Sequence, residues 1–365
     1  MKIILATGIY PPDIGGPATY VRHLAEELTV RGEEVIVVTF MKTQDSKGRS
    51  QENEKWKVVT VSPAGGPLIR WRKFAQVLKQ HGTDADIVYC FSSVSAGVPL
   101  RLARLKKPKK LLRLGGDFPW ERYTDLGGRK TLKQFLASAL RLRSAMGSIL
   151  RGFHHVVFST HFQQELYELM YAHLPSHAVI ENALPARDIV RHQRHDPLRL
   201  LYLGRFVKFK NLENLVRAVA KIPHATLTLV GSGPMGTRLS ALSRSLMLQG
   251  RVSVVPPVHG DGVTRVFVEH DVLVIPSITE ISPNVALEAR ACGLPVMLTE
   301  ENGLSPELRS GMVIRRLITV NDITKAILEA DQHYEEFATN AAEPFVRRRG
   351  WEEVAGEHVK LFKTL

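Results

Sequence analysis

Short apolar runs of four to seven residues recur along this chain, and stretches with helical spacing separate them. In the first half they are KIILAT, EVIVVTF, KVVTV, DIVYCF, KLLRL and HVVFS; in the second, LRLLYLG, TLTLV, VSVV, DVLVIPS and LPVMLT. A strand that is continuously apolar, rather than alternating, is covered on both faces, which is the condition of a parallel sheet with helices on either side. The fold class is therefore α/β, built from βαβ units. Prolines, histidines and charges interrupt the pattern over LPARDIVRHQRHDPLR, Leu184 to Arg199, so two sheets are expected, in Rossmann-like domains over 1–190 and 191–345. The remainder, 346–365, reads as helix, with Trp351, Val354, Val359 and Phe362 roughly along one stripe.

At 365 residues, with 44% hydrophobic and 23% charged side chains, the chain is long enough for two full cores and has the balance of a soluble globular protein. No apolar run approaches the length of a membrane span, and the N-terminus reads as a first strand rather than a leader, so a cytoplasmic location is expected. Two cysteines, Cys90 in a strand and Cys292 at a helix end, offer neither a disulfide framework nor a metal site. The net charge of +13 points to an anionic partner or surface. It is concentrated: Arg101 to Arg151 holds fourteen Lys and Arg against Asp117, Glu121 and Asp125. Within it, 129–151 interleaves apolar and cationic residues as an amphipathic helix on anionic headgroups would, a peripheral membrane contact. The alternative is a domain helix with a solvated basic face.

Four segments carry candidate chemistry. TEISPNVALEARACGLPV sets Glu280 and Glu288 eight positions apart; Ser282 reads as an N-cap, Pro283 as the first helical residue, and Gly293 with Pro295 as the stop. That helix starts just past the carboxyl end of a buried strand, where the amides of Asn284 and Val285 favour a phosphate. Glu288, flanked by Val285, Leu287, Ala289 and Ala291, needs hydrogen-bond donors; a vicinal diol supplies two, and a salt bridge to Arg290 is the alternative. LYLGRFVKFKN leaves a strand through Gly204 and delivers Arg205, Lys208 and Lys210, cations suited to a diphosphate. TLTLVGSGPMG spaces Gly231, Gly233 and Gly236 as G-x-G-x-x-G, but no acidic residue ends the next strand, so the glycines read as a tight turn admitting a nucleotide or as a structural turn. The first strand exits through a proline-stiffened loop to Gly15, Gly16 and Pro17, opening a helix whose N-terminus suits an anion.

In order, these segments resemble the retaining GT-B glycosyltransferases of family 4, or group 1, over nearly the whole chain. The E-x7-E of Glu280 and Glu288 is the strongest element, supported by GRFVKFKN, GSGP, the early GG loop and HVVFSTHFQQEL with VIENALP. The resemblance implies two Rossmann-like domains facing across a cleft, with the C-terminal helix, 346–365, packing back on the first. It implies that Arg205 and Lys210 grip the donor diphosphate, Glu288 the ribose hydroxyls and Glu280 the transferred sugar. The backbone from Ser282 through Pro283 to Asn284 would meet the distal phosphate, Ile281, Gly204, Gly231 and Gly233 would also line the donor site, and Gly15 and Gly16 would close the cleft from the other domain. The expected donor is a UDP- or GDP-linked sugar and the acceptor a glycan or lipid-linked glycan, with no metal and no cofactor. Two departures stand out: Ile281, Ser282 and Pro283 replace the Gly-Phe-Pro or Gly-Phe-Gly common in the family, and Gly116 and Asp117 stand where a histidine and an aspartate are usual. Asp117 is thus a candidate sugar or acceptor contact. Two other readings remain: a sugar-nucleotide epimerase on a similar scaffold, and a nucleic-acid binder, suggested only by charge and lacking a recognition module.

Overall fold

The protein, seen in a computed structural model, is described over residues 1–13, 15–41, 55–184, 188–344 and 349–365. Residues 185–187 of the expected interdomain join lie outside them. The chain separates into two units. The first comprises Met1–Pro119, Leu136–Ala183 and Arg349–Leu365; the second comprises Trp120–Phe135 and Leu184–Arg348.

The first unit is a seven-stranded parallel sheet. Its strands are β1 (Lys2–Ala6), β2 (Glu34–Phe40), β3 (Lys57–Val61), β4 (Ile87–Cys90), β5 (Lys109–Leu114), β6 (His155–Phe158) and β7 (Ser176–Val179), in spatial order β3-β2-β1-β4-β5-β6-β7. Strands β1, β2, β4 and β6 are almost entirely buried, as their unbroken apolar sequences require. One face is covered by Tyr20, Val21, Leu24 and Leu28 of the helix Gly16–Val30 and by Val354, Ala355 and Phe362 of the C-terminal helix Trp351–Thr364. The stripe read from the sequence thus has its counterpart: Trp351 meets Tyr20 edge-on at 4.9 Å and stacks on His23 at 4.9 Å.

The second unit holds six parallel strands, β8 (Leu198–Leu203), β9 (Ala225–Val230), β10 (Val252–Val255), β11 (Val272–Ile275), β12 (Val296–Thr299) and β13 (Val313–Arg315), in order β10-β9-β8-β11-β12-β13. Leu215, Val216, Val219, Leu239, Ile323 and Ile327 cover one face; Phe267, Ala286, Leu287 and Cys292 cover the other. In both sheets the chain winds outward from a central strand and then returns to its other side, between β1 and β4 and between β8 and β11. The loops leaving that pair diverge to opposite faces, which opens a crevice at the carboxyl edge.

One expectation is corrected here. Residues 129–151 do not form a single amphipathic helix: they make two short ones, Leu132–Ser138 and Leu140–Leu150, with a non-helical Ala139 between them. The apolar residues Leu132, Phe135, Leu136, Met146 and Leu150 of this stretch are buried in the protein, while Leu140 is exposed. Among the described residues no helix is long and apolar enough to cross a membrane. Both cysteines are buried and neither is in a disulfide.

Candidate active site

The switch point of the second sheet brings together the loop after β8 and the loop after β11. The first carries Gly204 and Arg205 into a 3₁₀ turn, Lys208–Lys210; the second runs from Pro276 to Pro283 and carries Glu280. The two are stitched: the Ile278 amide donates to the Phe209 carbonyl at 2.8 Å, and the Lys210 ammonium pairs with the Glu280 carboxylate. Ser277, fully buried, donates to the same Glu280 oxygen. Side-chain exposure of 17% for Lys210 and 7% for Glu280 makes this a nearly desolvated pair, so removing either partner would strand a charge at a cost of about 3–5 kcal/mol. Lys210 also lies 5.0 Å from the Phe209 ring centroid.

Arg205 is more open. Its guanidinium approaches Glu121 at 3.5 Å with side-chain exposures of 48% and 28%, a pairing worth no more than about 1 kcal/mol and readily exchanged for a polyanion. The Tyr202 hydroxyl donates to the Arg205 carbonyl at 2.9 Å and fixes the exit of β8. Burial, then the negative charge of Glu280, holds that phenol well above its ordinary pKa, so it stays a donor.

The glycines after β9 have a specific reason. A Cβ on Gly231 would sit 1.9 Å from the Gly204 carbonyl oxygen, and one on Gly233 would sit 2.5 Å from the oxygen and 2.8 Å from the nitrogen of Phe206. The two loops are joined by Phe206 N–H to Ser232 O (2.8 Å) and Met235 N–H to Phe206 O (3.0 Å). These residues are glycine because another backbone runs against them. That close packing makes the glycines a tight turn, and it sets the path of the Arg205 loop.

The helix after the Glu280 loop is Asn284–Ala291, one residue shorter at its start than expected. Its N-cap is Pro283, not Ser282, and the Asn284 amide is taken by the Ser282 carbonyl at 3.0 Å, so it is not among the free donors. Gly293 ends the helix as expected, left-handed at φ 80°, where a Cβ would lie 2.5 Å from the Val190 oxygen. Ile281 is buried, and Glu288 stands half-buried one turn into the helix between buried Leu287 and Ala289. Arg290 is buried and donates to the carbonyls of Ser310 (3.1 Å) and Ala341.

In the first unit Gly15 caps the helix that begins at Gly16, its carbonyl accepting from Ala18 (3.0 Å) and Thr19 (3.2 Å). A Cβ on Gly16 would meet open space. Asp117, just past β5, is 2% exposed and accepts the Tyr167 hydroxyl at 2.7 Å. The structure thus gathers Arg205, Lys210, Glu280 and the 281–284 turn around one switch point, while Asp117, Gly15 and Gly16 belong to the other unit. Sequence reasoning missed Ser277, Thr279, Glu301 and Glu121; Ser277 ends the quoted run DVLVIPS and Thr279 opens the quoted Glu280 segment, but hydroxyls in a loop carry no spacing signal. Among the described residues no group of three or more His, Cys, Asp or Glu is placed to hold a metal ion.

Two parallel Rossmann-like units with these loops define the GT-B class, and comparison with known proteins agrees. Residues 15–183 match the Glycosyl transferase 4-like domain and 197–333 match Glycosyl transferases group 1. The chain is a glycosyltransferase of the GT-B type. It is 26% identical, over its whole length and 98% of the relative's, to an uncharacterized glycosyltransferase of Methanocaldococcus jannaschii. It is 35% identical to a D-inositol 3-phosphate glycosyltransferase of a Mycobacterium species, over 30% of this chain and 26% of that one. Among solved structures, it resembles the sucrose-phosphate synthase of Thermosynechococcus elongatus (TM-score 0.78, 19% identity, 100% and 98% of the two chains). It also resembles Anabaena HepE in complex with UDP and glucose (TM-score 0.74, 17% identity, both chains in full).

Proposed function

We propose that the protein transfers a sugar from a nucleoside-diphosphate sugar, UDP- or GDP-linked, to a glycan or lipid-linked acceptor with retention of anomeric configuration and without a metal. The observation that carries the reading is the pair of cationic residues on the β8 loop, Arg205 and Lys210, gathered with Glu280 at the switch point of the second sheet. Arg205 and Lys210 receive the diphosphate, which as leaving group accumulates negative charge while the glycosidic bond breaks; fixed cations there stabilise the transition state and stand in for a divalent ion. Glu288 receives the ribose hydroxyls. Glu280, its carboxylate held by Lys210 and Ser277, faces the transferred sugar. The acceptor hydroxyl attacks on the face the diphosphate leaves and gives its proton to a departing phosphate oxygen, so no enzymic nucleophile is needed. The turn Ile281 to Asn284 borders the distal phosphate, and Gly204, Gly231 and Gly233 let the β8 loop take its course. On the first unit Gly15 and Gly16 are the small-residue wall, and Asp117, anchored by Tyr167, is the sugar or acceptor contact. The family matches favour a transferase over an epimerase or a nucleic-acid binder.

Titration calorimetry or ligand-observed NMR with UDP and with GDP, in EDTA, tests this. One of the two binds; Glu288→Ala weakens it and Arg205→Ala weakens it more. Unchanged affinity in both variants would remove the site assignment.

A further inference from the structure

The stretch Trp120–Phe135 follows β5 in the chain yet packs with the second unit. There it touches three loops of the donor site. Trp120, 2% exposed, lies 5.1 Å from the ring of Phe209, next to Lys210, and its indole N–H donates to Lys130 O at 2.9 Å, which closes the stretch on itself. Glu121 meets Arg205. The Leu132 amide donates to Thr279 Oγ1 at 3.1 Å, and Thr279 Oγ1 donates to Glu301 Oε1 at 3.0 Å. Thr131 and Lys133 of the stretch are polar neighbours that favour the charged form of the same Glu301 carboxylate, against the burial that raises its pKa.

Glu301 has a second attachment, through its main chain. Its carbonyl accepts the Glu280 amide at 2.9 Å, and the Glu280 carbonyl accepts the Gly303 amide at 2.8 Å, a parallel bridge that lays residue 280 alongside residue 302. One residue therefore reaches the strap through Thr279 Oγ1 with its side chain and holds the Glu280 loop with its backbone. A half-buried carboxylate would be costly without a donor, and the Thr279 hydroxyl, itself tied to the Leu132 amide, supplies one. Thr279, one residue before Glu280, closes the triangle.

We infer that Glu301 is a positioning residue of the donor site: with Thr279 it ties the strap 120–135 to the loop that carries Glu280, and so fixes that carboxylate against Lys210 and the bound nucleotide sugar. The inference deepens the nucleotide-sugar reading and rests on it for its ligand. Two measurements on the full-length protein separate the claims. By hydrogen exchange, Glu301→Ala raises the rate at the Leu132 and Lys133 amides at least tenfold and leaves β8 and β9 unchanged; equal rates at both amides overturn the tie. By calorimetry with UDP and GDP, Glu301→Ala weakens the nucleotide that binds at least fivefold, and Glu301→Gln, which keeps an acceptor, recovers most of it. Equal affinity in wild type and Glu301→Ala overturns the positioning role. Should neither nucleotide bind the wild type, the donor reading and the positioning role fall together, while exchange still decides the tie. Should Glu301→Ala not fold, Thr279→Val, which removes the hydroxyl at nearly constant volume, gives the same two readouts.

Discussion

Lys210 and Glu280 are a nearly buried ion pair, and such pairs seldom survive on stability alone, because well-packed apolar residues serve as well. Here each partner also faces a loop with a task. Lys210→Met is expected to lower unfolding stability by about 3 kcal/mol, by leaving Glu280 uncompensated, and to abolish nucleotide binding. Chemical denaturation and calorimetry read the two effects separately, and binding at wild-type affinity would show the lysine to be structural only. Gly233→Ala should destabilise by more than about 2 kcal/mol, since the added methyl meets Phe206 backbone atoms that have no freedom to withdraw; a variant within 0.5 kcal/mol of wild type, about the scatter of a neutral surface change, would contradict that packing. Residues of this kind differ in legibility. Glu280, Arg205 and Lys210 were readable because charge at the end of an apolar run is conspicuous. Ser277, Thr279 and Glu301 were not, because what they do is decided by which loop folds over them. Arg290 shows the same limit: two residues on from Glu288, it donates to two main-chain carbonyls from distant segments, which no spacing reveals.

Strands were the best-read elements because a run buried on both faces leaves an unbroken apolar signature. Those missed, β7 and β13, are short edge strands, SHAV and VIR, half-exposed and too brief to register. The basic stretch 129–151 misled for another reason: helical spacing does not reveal a break at Ala139, nor that the apolar stripe is covered by the protein itself. The C-terminal helix carries a pH-sensitive attachment. His358 is fully buried, its Nε2 hydrogen-bonded to the Tyr20 hydroxyl at 2.8 Å, with Tyr89 and Phe362 rings alongside and the cationic Arg113 and Arg349 near. Burial, then those two charges, hold it well below its ordinary pKa of 6.5. The unfolded chain therefore takes up the proton first; the contribution is complete above pH 6.5 and drains as pH falls from there toward the folded value. Urea midpoints measured from pH 7.5 down to 5 should decline, and His358→Gln, which keeps an acceptor for Tyr20 but does not titrate, should flatten part of that decline. An identical slope in the variant would assign the acid sensitivity elsewhere.

For the molecule as a whole, the parallel character of both sheets follows from the sequence pattern, and so does the expectation of two cores; the strand order and its switch points do not. The return of the C-terminal helix to the first unit was expected; the placement of Trp120–Phe135 with the second was not, because no break in the apolar pattern marks where the chain changes core. If the donor reading is right, saturating nucleotide acts on the second unit by mass action: at 100 times its Kd, UDP or GDP should add about 2.7 kcal/mol to unfolding stability, and EDTA should leave that gain intact because Arg205 and Lys210 supply the charge. Differential scanning fluorimetry checks both; a gain that requires magnesium would overturn the metal-free assignment.

The interleaving of the two units governs how the gene can be cut. A fragment starting at Leu184 carries all six strands of its sheet but not the stretch that sheathes Phe209 and donates to Thr279, so it should emerge with an unclad aromatic surface and a tendency to clump. Supplying 120–135 on a separate peptide is the repair to attempt.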